Sequence, residues 1–381
     1  MNGDGVFYRP PPGVIDKLGE LNWPLLITLS VLTGVGLAAL YSVAGGSWQP
    51  WAERHALRYL IGLAMLIAVS VVPLRFWLKL AYPAYGAALF ALALVPLIGS
   101  EALGARRWLP LGPLTFQPAE IMKVAVILAM ARFFHGLASP RLSHPLWLLI
   151  PFAIVALPMA LIIRQPDLGS AMMIGLLGCG IMLMAGVHLG YFAGGAVMLL
   201  AGIPTALPYL HDYQRRRIES FLDPAADPLG ASYHITQSKI AMGSGGVMGK
   251  GFLGGTQSQL DFLPEKHTDF IFTTIGEEWG FVGAIVVLAL VGMLLAVLLG
   301  MALATASRAG RLLVCGAMLT IFIYTGINVG MVSGAVPVVG VPLPFVSYGG
   351  TSMMTLMFSL GLAMCAWVHR SDRLQDQDWR W

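Results

Sequence analysis

Long apolar runs alternate with short polar breaks that carry prolines, glycines and most of the charges. A helix needs ~20 mostly apolar residues to cross the hydrocarbon core of a bilayer. Ten stretches meet or approach that length: 23–43, 58–74, 77–99, 119–137, 146–163, 168–186, 189–210, 270–300, 311–333 and 348–368. The run at 58–74 is short. The pattern predicts an all-α polytopic membrane protein of ten transmembrane helices, with a large loop, 211–269, between helices 7 and 8. It divides the chain into a tail 1–22, a membrane domain 23–369 and a tail 370–381. The polar, proline-rich start (Arg9-Pro-Pro-Pro12) shows no cleavable signal pattern before the first apolar run.

Composition agrees. Of the 381 residues, 57% are hydrophobic and 11% charged, against the usual ~25% charged in soluble domains. A net charge of +4 leaves no broad basic patch, so nucleic acid is not an expected partner. Three cysteines, Cys179, Cys315 and Cys365, all lie in apolar runs, which removes both a disulfide framework and a CxxC metal site.

Lys and Arg set the orientation. With the N-terminus inside, the inner segments hold eleven basic residues and the short outer loops hold five: Arg54, Arg58, Arg106, Arg107 and Arg164. Both termini are therefore expected on the inner, cytoplasmic side of the membrane, and 211–269 outside. That loop carries six basic and seven acidic residues and keeps its aromatics. Short interfacial helices are expected there, for example over 232–242. No internal repeat supports an inverted-repeat transporter, and the inner loops are too short for a nucleotide-binding domain.

Several motifs yield to plainer readings. Gly243–Gly251 fails as a phosphate-binding P-loop, because Ser244 and Gly251 stand where glycine and Ser/Thr are required. It reads as a turn, with a backbone amide cradle for phosphate as the alternative. Asp223-Pro and Asp227-Pro are turns rather than a calcium loop. Charges at the membrane edge carry more information. Glu120 and Lys123 share one helix face and can neutralise each other or line a polar cavity. Asp167 suits an N-cap. Glu277 and Glu278 need partners that the sequence does not supply. The outer clusters Arg106-Arg107 and Arg215-Arg216-Arg217 suit lipid phosphates or a ligand pyrophosphate, for which the guanidinium fork is fitted.

These residues also carry a resemblance. His211–Ile218, Phe221–Pro224, Asp227–Gly230, Tyr233–Ser238 and Gly255–Phe272 resemble the large outer loop of the SEDS family of bacterial cell-wall proteins. Ala105–Trp108, Gln117–Lys123, Gln165–Gly169, Gly276–Glu278, Asn328–Gly334 and Pro342–Gly350 match in the same order, over about residues 20–370. The wording of 255–260 is nearer the elongation branch than the division branch. The resemblance implies a peptidoglycan glycosyltransferase that polymerises lipid II and releases undecaprenyl pyrophosphate. It would work beside a class B penicillin-binding protein and other elongation-complex proteins.

The resemblance points to Asp269 as the catalytic base. The expected substrate-binding set is Arg106, Arg107, Glu120, Lys123, Asp167, Arg215, Arg216, Lys239, Glu265, His267 and Ser347. No cofactor is required by this reading. A divalent cation (Mg2+ or Mn2+) on the pyrophosphate is compatible with it, although no His or Cys ligand spacing is present. Two other classes fit the same polar cavity: a lipid II flippase without a base, and a non-catalytic scaffold that activates a transpeptidase. Asp269 could also simply cap the helix that follows it, with Thr268 as the alternative cap.

Overall fold

The computed structural model describes residues 13–102, 105–111, 114–137, 144–206, 231–260, 262–263 and 265–372. After a short helix α1 (Val14–Gly19) come α2 (Trp23–Val43), α3 (Trp51–Val71) and α4 (Leu74–Ile98). Next are α5 (Pro118–Gly136), α6 (Pro145–Ile163), α7 (Leu168–Met184) and α8 (Leu189–Ala206). The large loop contains α9 (Ala231–Ser244) and α10 (Thr256–Gln259). Four helices close the chain: α11 (Ile271–Glu278), α12 (Gly280–Ala304), α13 (Arg308–Val332) and α14 (Gly350–Val368).

Seven of these, α2, α3, α4, α6, α12, α13 and α14, are long and apolar enough to cross a membrane. The helix α5 carries Glu120, Lys123 and Arg132, and α7 has only 17 residues. The centre is formed by α5, α13 and α14, whose apolar side chains are mostly buried. By contrast α4, α6 and α12 expose Phe90, Leu149, Phe152, Phe281 and Ile285. Apolar surface on that scale belongs to a protein solvated by lipid. Small residues let the central helices touch. A Cβ on Gly62 of α3 would stand 2.6 Å from Met357 Cγ, and one on Gly361 of α14 would stand 2.9 Å from Val69 Cβ.

Three expectations need correction. The chain is mostly helical but not all-α: β1 (Ser100–Ala102), β2 (Ala105–Leu111) and β3 (Leu114–Phe116) form an antiparallel sheet in the order β1-β2-β3. Ser100 pairs with Trp108, and Leu109 with Phe116. Within β2, Arg106 is exposed and Leu109 buried, the face alternation of a strand. Second, α3 begins at Trp51 rather than 58, because Glu53 and Arg54 face outward while Ala52 and His55 are buried. Third, the run 270–300 is two helices. Gly280 takes φ +66 between α11 and α12, where a Cβ would stand 2.3 Å from Gly249 N. Only glycine fits that approach.

Candidate active site

Asp269 is the last but one residue of the turn 265–270, which leads into α11. It does not cap that helix. The cap position is Phe270, which offers no side-chain hydrogen bond, and Thr268 instead donates to the Glu265 carbonyl and carboxylate at 3.2 and 3.0 Å. The turn is held from α13. Asn328, fully buried, donates through Nδ2 to the Asp269 carbonyl (2.8 Å) and to the Val341 carbonyl (2.7 Å). The Asp269 carboxylate is partly exposed and reaches the segment 334–341: a Cβ on Gly340 would stand 3.3 Å from Oδ2.

That segment gathers other expected site residues. Lys239, exposed on α9, lays its Nζ against Gly334, 2.5 Å from where a Cβ would be. Ser238, its neighbour, donates to the Val332 carbonyl at 2.8 Å and lies 2.7 Å from Thr273 Oγ1, which docks α9 onto α11 and α13. Gly169, two residues after Asp167, packs against Val339. His267 stacks on Trp51 with ring centroids 3.8 Å apart, and its carbonyl accepts from Tyr348 N at 2.9 Å. Burial lowers the His267 pKa below its ordinary value. Glu265, 3.9 Å away, opposes that shift, while Lys266 adds to it. Burial lowers His234 on α9 in the same way. Ser347 is buried and accepts from Leu343 N at 2.8 Å, shaping the turn before Tyr348.

A second polar group lies on the helices α5, α7 and α13. Glu120 and Lys123 pair at 2.6 Å, and Tyr324 of α13 completes a closed triad: its hydroxyl donates to Glu120 at 2.7 Å and meets Lys123 Nζ. Asp167 caps α7, accepting from Ser170 N (3.2 Å) and Ser170 Oγ (2.8 Å), and Gln117 reaches the same carboxylate at 3.3 Å. Arg107 donates to the Pro166 carbonyl beside it, whereas Arg106 is exposed. Arg215 and Arg216 lie outside the described residues, as do Asp223 and Asp227.

The two buried glutamates find their partners in the outer loop and in α2. Glu277 accepts from Lys250 Nζ (2.7 Å), Thr256 Oγ1 (3.0 Å), Gln257 N (3.0 Å) and Ser258 N (3.3 Å). Ser42 of α2 donates to Glu278 at 2.6 Å. The glycine run follows α9 as a turn, held where Gly249 N donates to Gly245 O, Lys250 N to Glu277 O and Gly251 N to Glu278 O. Among the described residues no three His, Cys, Asp or Glu side chains converge to hold a metal ion.

Sequence reasoning missed Tyr324 and Trp51, and it met Asn328 only as the first residue of a matched motif, with no role. Asn328 is the one it could have found, since an amide inside a membrane helix is costly unless it is employed. Residues 21–372 match the model of a cell cycle protein family that takes in FtsW, RodA and SpoVE. The peptidoglycan glycosyltransferase MrdB of Escherichia coli (strain K12) is 42% identical over 348 residues, 91% of this chain and 93% of the relative. MrdB of Helicobacter pylori (strain J99 / ATCC 700824) is 35% identical over 80% of each. One solved structure, from work on the coordination of polymerization and crosslinking by a peptidoglycan synthase complex, superposes with a TM-score of 0.80. It is 33% identical, covering 93% of this chain and 99% of that one. Thermus thermophilus RodA gives a TM-score of 0.69 at 28% identity, over 93% and 98%.

Proposed function

Because the chain belongs to the SEDS family of cell cycle proteins and is a peptidoglycan glycosyltransferase, we propose that it polymerises lipid II into glycan strands for cell elongation, with Asp269 as the general base. Asp269 takes the proton from the acceptor sugar's 4-hydroxyl as that oxygen attacks the donor's anomeric carbon, and undecaprenyl pyrophosphate leaves. The observation that carries this reading is the state of the Asp269 carboxylate. It is partly exposed, stands one residue before the cap position of α11, and is carried on a backbone that Asn328 pins.

The rest of the reading follows the chemistry of the substrate. A lipid-linked sugar keeps its pyrophosphate at the membrane surface, so the binding groups belong at the outer helix ends. Lys239 and His267 border the Asp269 turn, and Arg106, Arg107, Arg215 and Arg216 are assigned to phosphate, with Arg107 and Arg216 first. Glu265 and Ser347 shape the turns that carry these groups. Glu120, Lys123 and Asp167 line the polar seam beneath. Ten spans in an inner membrane, cytoplasmic termini and an outer 211–269 loop complete the arrangement. The likeness to a peptidoglycan synthase complex supports a class B penicillin-binding protein as partner.

Purified protein supplied with lipid II, with and without that partner, tests the function. Polymer is the expected product. Transfer of lipid II across the bilayer without polymer would indicate a flippase, and neither activity, with stimulated crosslinking by the partner, a scaffold.

A further inference from the structure

Arg58 lies in α3, seven residues and about 10 Å beyond the outer start of that helix at Trp51. A charge carried into a membrane helix is expected to face a partner. Arg58 has none of opposite sign: among the described residues no carboxylate pairs with it, and its Nη1 is buried without a hydrogen bond. Its Cζ sits 4.5 Å from the centroid of the Tyr348 ring. It also lies against the first residue of α14, where a Cβ on Gly350 would stand 3.3 Å from Cζ.

The surroundings add positive character. The helix α14 starts without a side-chain cap at Gly349, so its partially positive end faces the guanidinium. A guanidinium and a helix terminus of one sign, with no carboxylate beside them among the described residues, mark a place completed by an anion.

The position says which anion. Tyr348 covers Arg58, and Tyr348 N is bonded to the carbonyl of His267, two residues before Asp269. Along α3, from Arg58 back toward Trp51, one meets Arg58, then the Tyr348 ring, then the His267–Asp269 turn that stacks on Trp51. A lipid-linked sugar has the same order: prenyl chain, phosphate, sugar. We propose that Arg58, with the first turn of α14, binds a phosphate of the prenyl pyrophosphate while its sugar lies at Asp269. This rests on the polymerase reading above. The guanidinium fork matches a phosphate, and Arg58 is only partly buried, so the group can be reached.

Binding can be measured separately from turnover. The full-length protein in neutral phosphatidylcholine nanodiscs is titrated with undecaprenyl pyrophosphate and, in parallel, with undecaprenol. Arg58→Met should weaken binding of the pyrophosphate by about tenfold or more, the scale of one charge-assisted contact. Binding of undecaprenol should not change. Arg58→Lys, which keeps the charge in a side chain of similar length, should recover part of the loss and guards against a folding defect in the methionine variant. Equal affinity of wild type and Arg58→Met for the pyrophosphate overturns the proposal. So does equal competition by phosphatidylglycerol, which would make this an ordinary phospholipid site. In the lipid II assay the same variant should raise KM while kcat stays within about threefold. Wild type that binds the pyrophosphate through Arg58 yet makes no polymer would sink the polymerase reading and leave this site standing.

Discussion

At the residue scale, His234 and His267 are two half-buried imidazoles whose pKa values burial holds below the ordinary 6.5. The folded state therefore binds fewer protons than the unfolded chain as pH falls through 6.5 towards the folded pKa values. Stability rises with pH across that window and is fully lowered below it. Unfolding temperature should fall between about pH 7.5 and about pH 5.5, and the double variant His234→Gln/His267→Gln should flatten that fall. A double variant with the wild-type slope would place the titration elsewhere. The sequence named His267 and Asp269 but not what holds them. Trp51 and Asn328 come from α3 and α13, far along the chain from the turn they hold, and no local pattern links such pairs.

At the scale of elements, the large loop and the helices are joined by the α11 carboxylates. Glu277 is wholly buried and its partner Lys250 partly exposed. Four donors of the 250–258 turn converge on Glu277, and Ser258 O accepts from Lys266 at 2.6 Å. One side chain thus fixes the loop to α11 and, through Lys266, to the turn bearing Asp269. Removing it leaves donors and a lysine uncompensated. Glu277→Ala should cost roughly 3 kcal/mol or more of stability, read from denaturant unfolding in detergent, and a change within about 0.5 kcal/mol would contradict the clamp. The apolar runs located the helices because ~20 apolar residues in a row have few other uses. The same runs concealed the break at Gly280, since an αL glycine inside an apolar stretch does not alter hydropathy. Strands of three to seven residues between helices also escaped, because β2 carries its arginines beside a buried leucine over too short a span to show a period.

At the scale of the whole molecule, sidedness decides whether the site faces a lipid-linked sugar. The proposed topology puts 211–269 outside. In a background lacking Cys179, Cys315 and Cys365, single cysteines at Ser220 and Ser232 should react with a membrane-impermeant thiol reagent in cells whose outer membrane alone is permeabilised. Labelling only after inner-membrane lysis would reverse the orientation and remove the site from its substrate. The positive-inside count is what sets this expectation, because charge bias is a property of the chain order. The contrast between a partly exposed Asp269 and a closed Glu120–Lys123–Tyr324 triad was not legible, since it depends on which helices meet.

The central claim is that one carboxylate takes the acceptor proton. Asn has nearly the volume of Asp and leaves the backbone contact with Asn328 in place, but it cannot accept that proton. Polymerisation of lipid II by purified Asp269→Asn, compared with wild type at matched unfolding temperature, should fall by about 10²–10⁴, the usual contribution of a positioned base. A folded Asp269→Asn protein that makes glycan strands at the wild-type rate would contradict it and direct the search to Glu265 or Asp261.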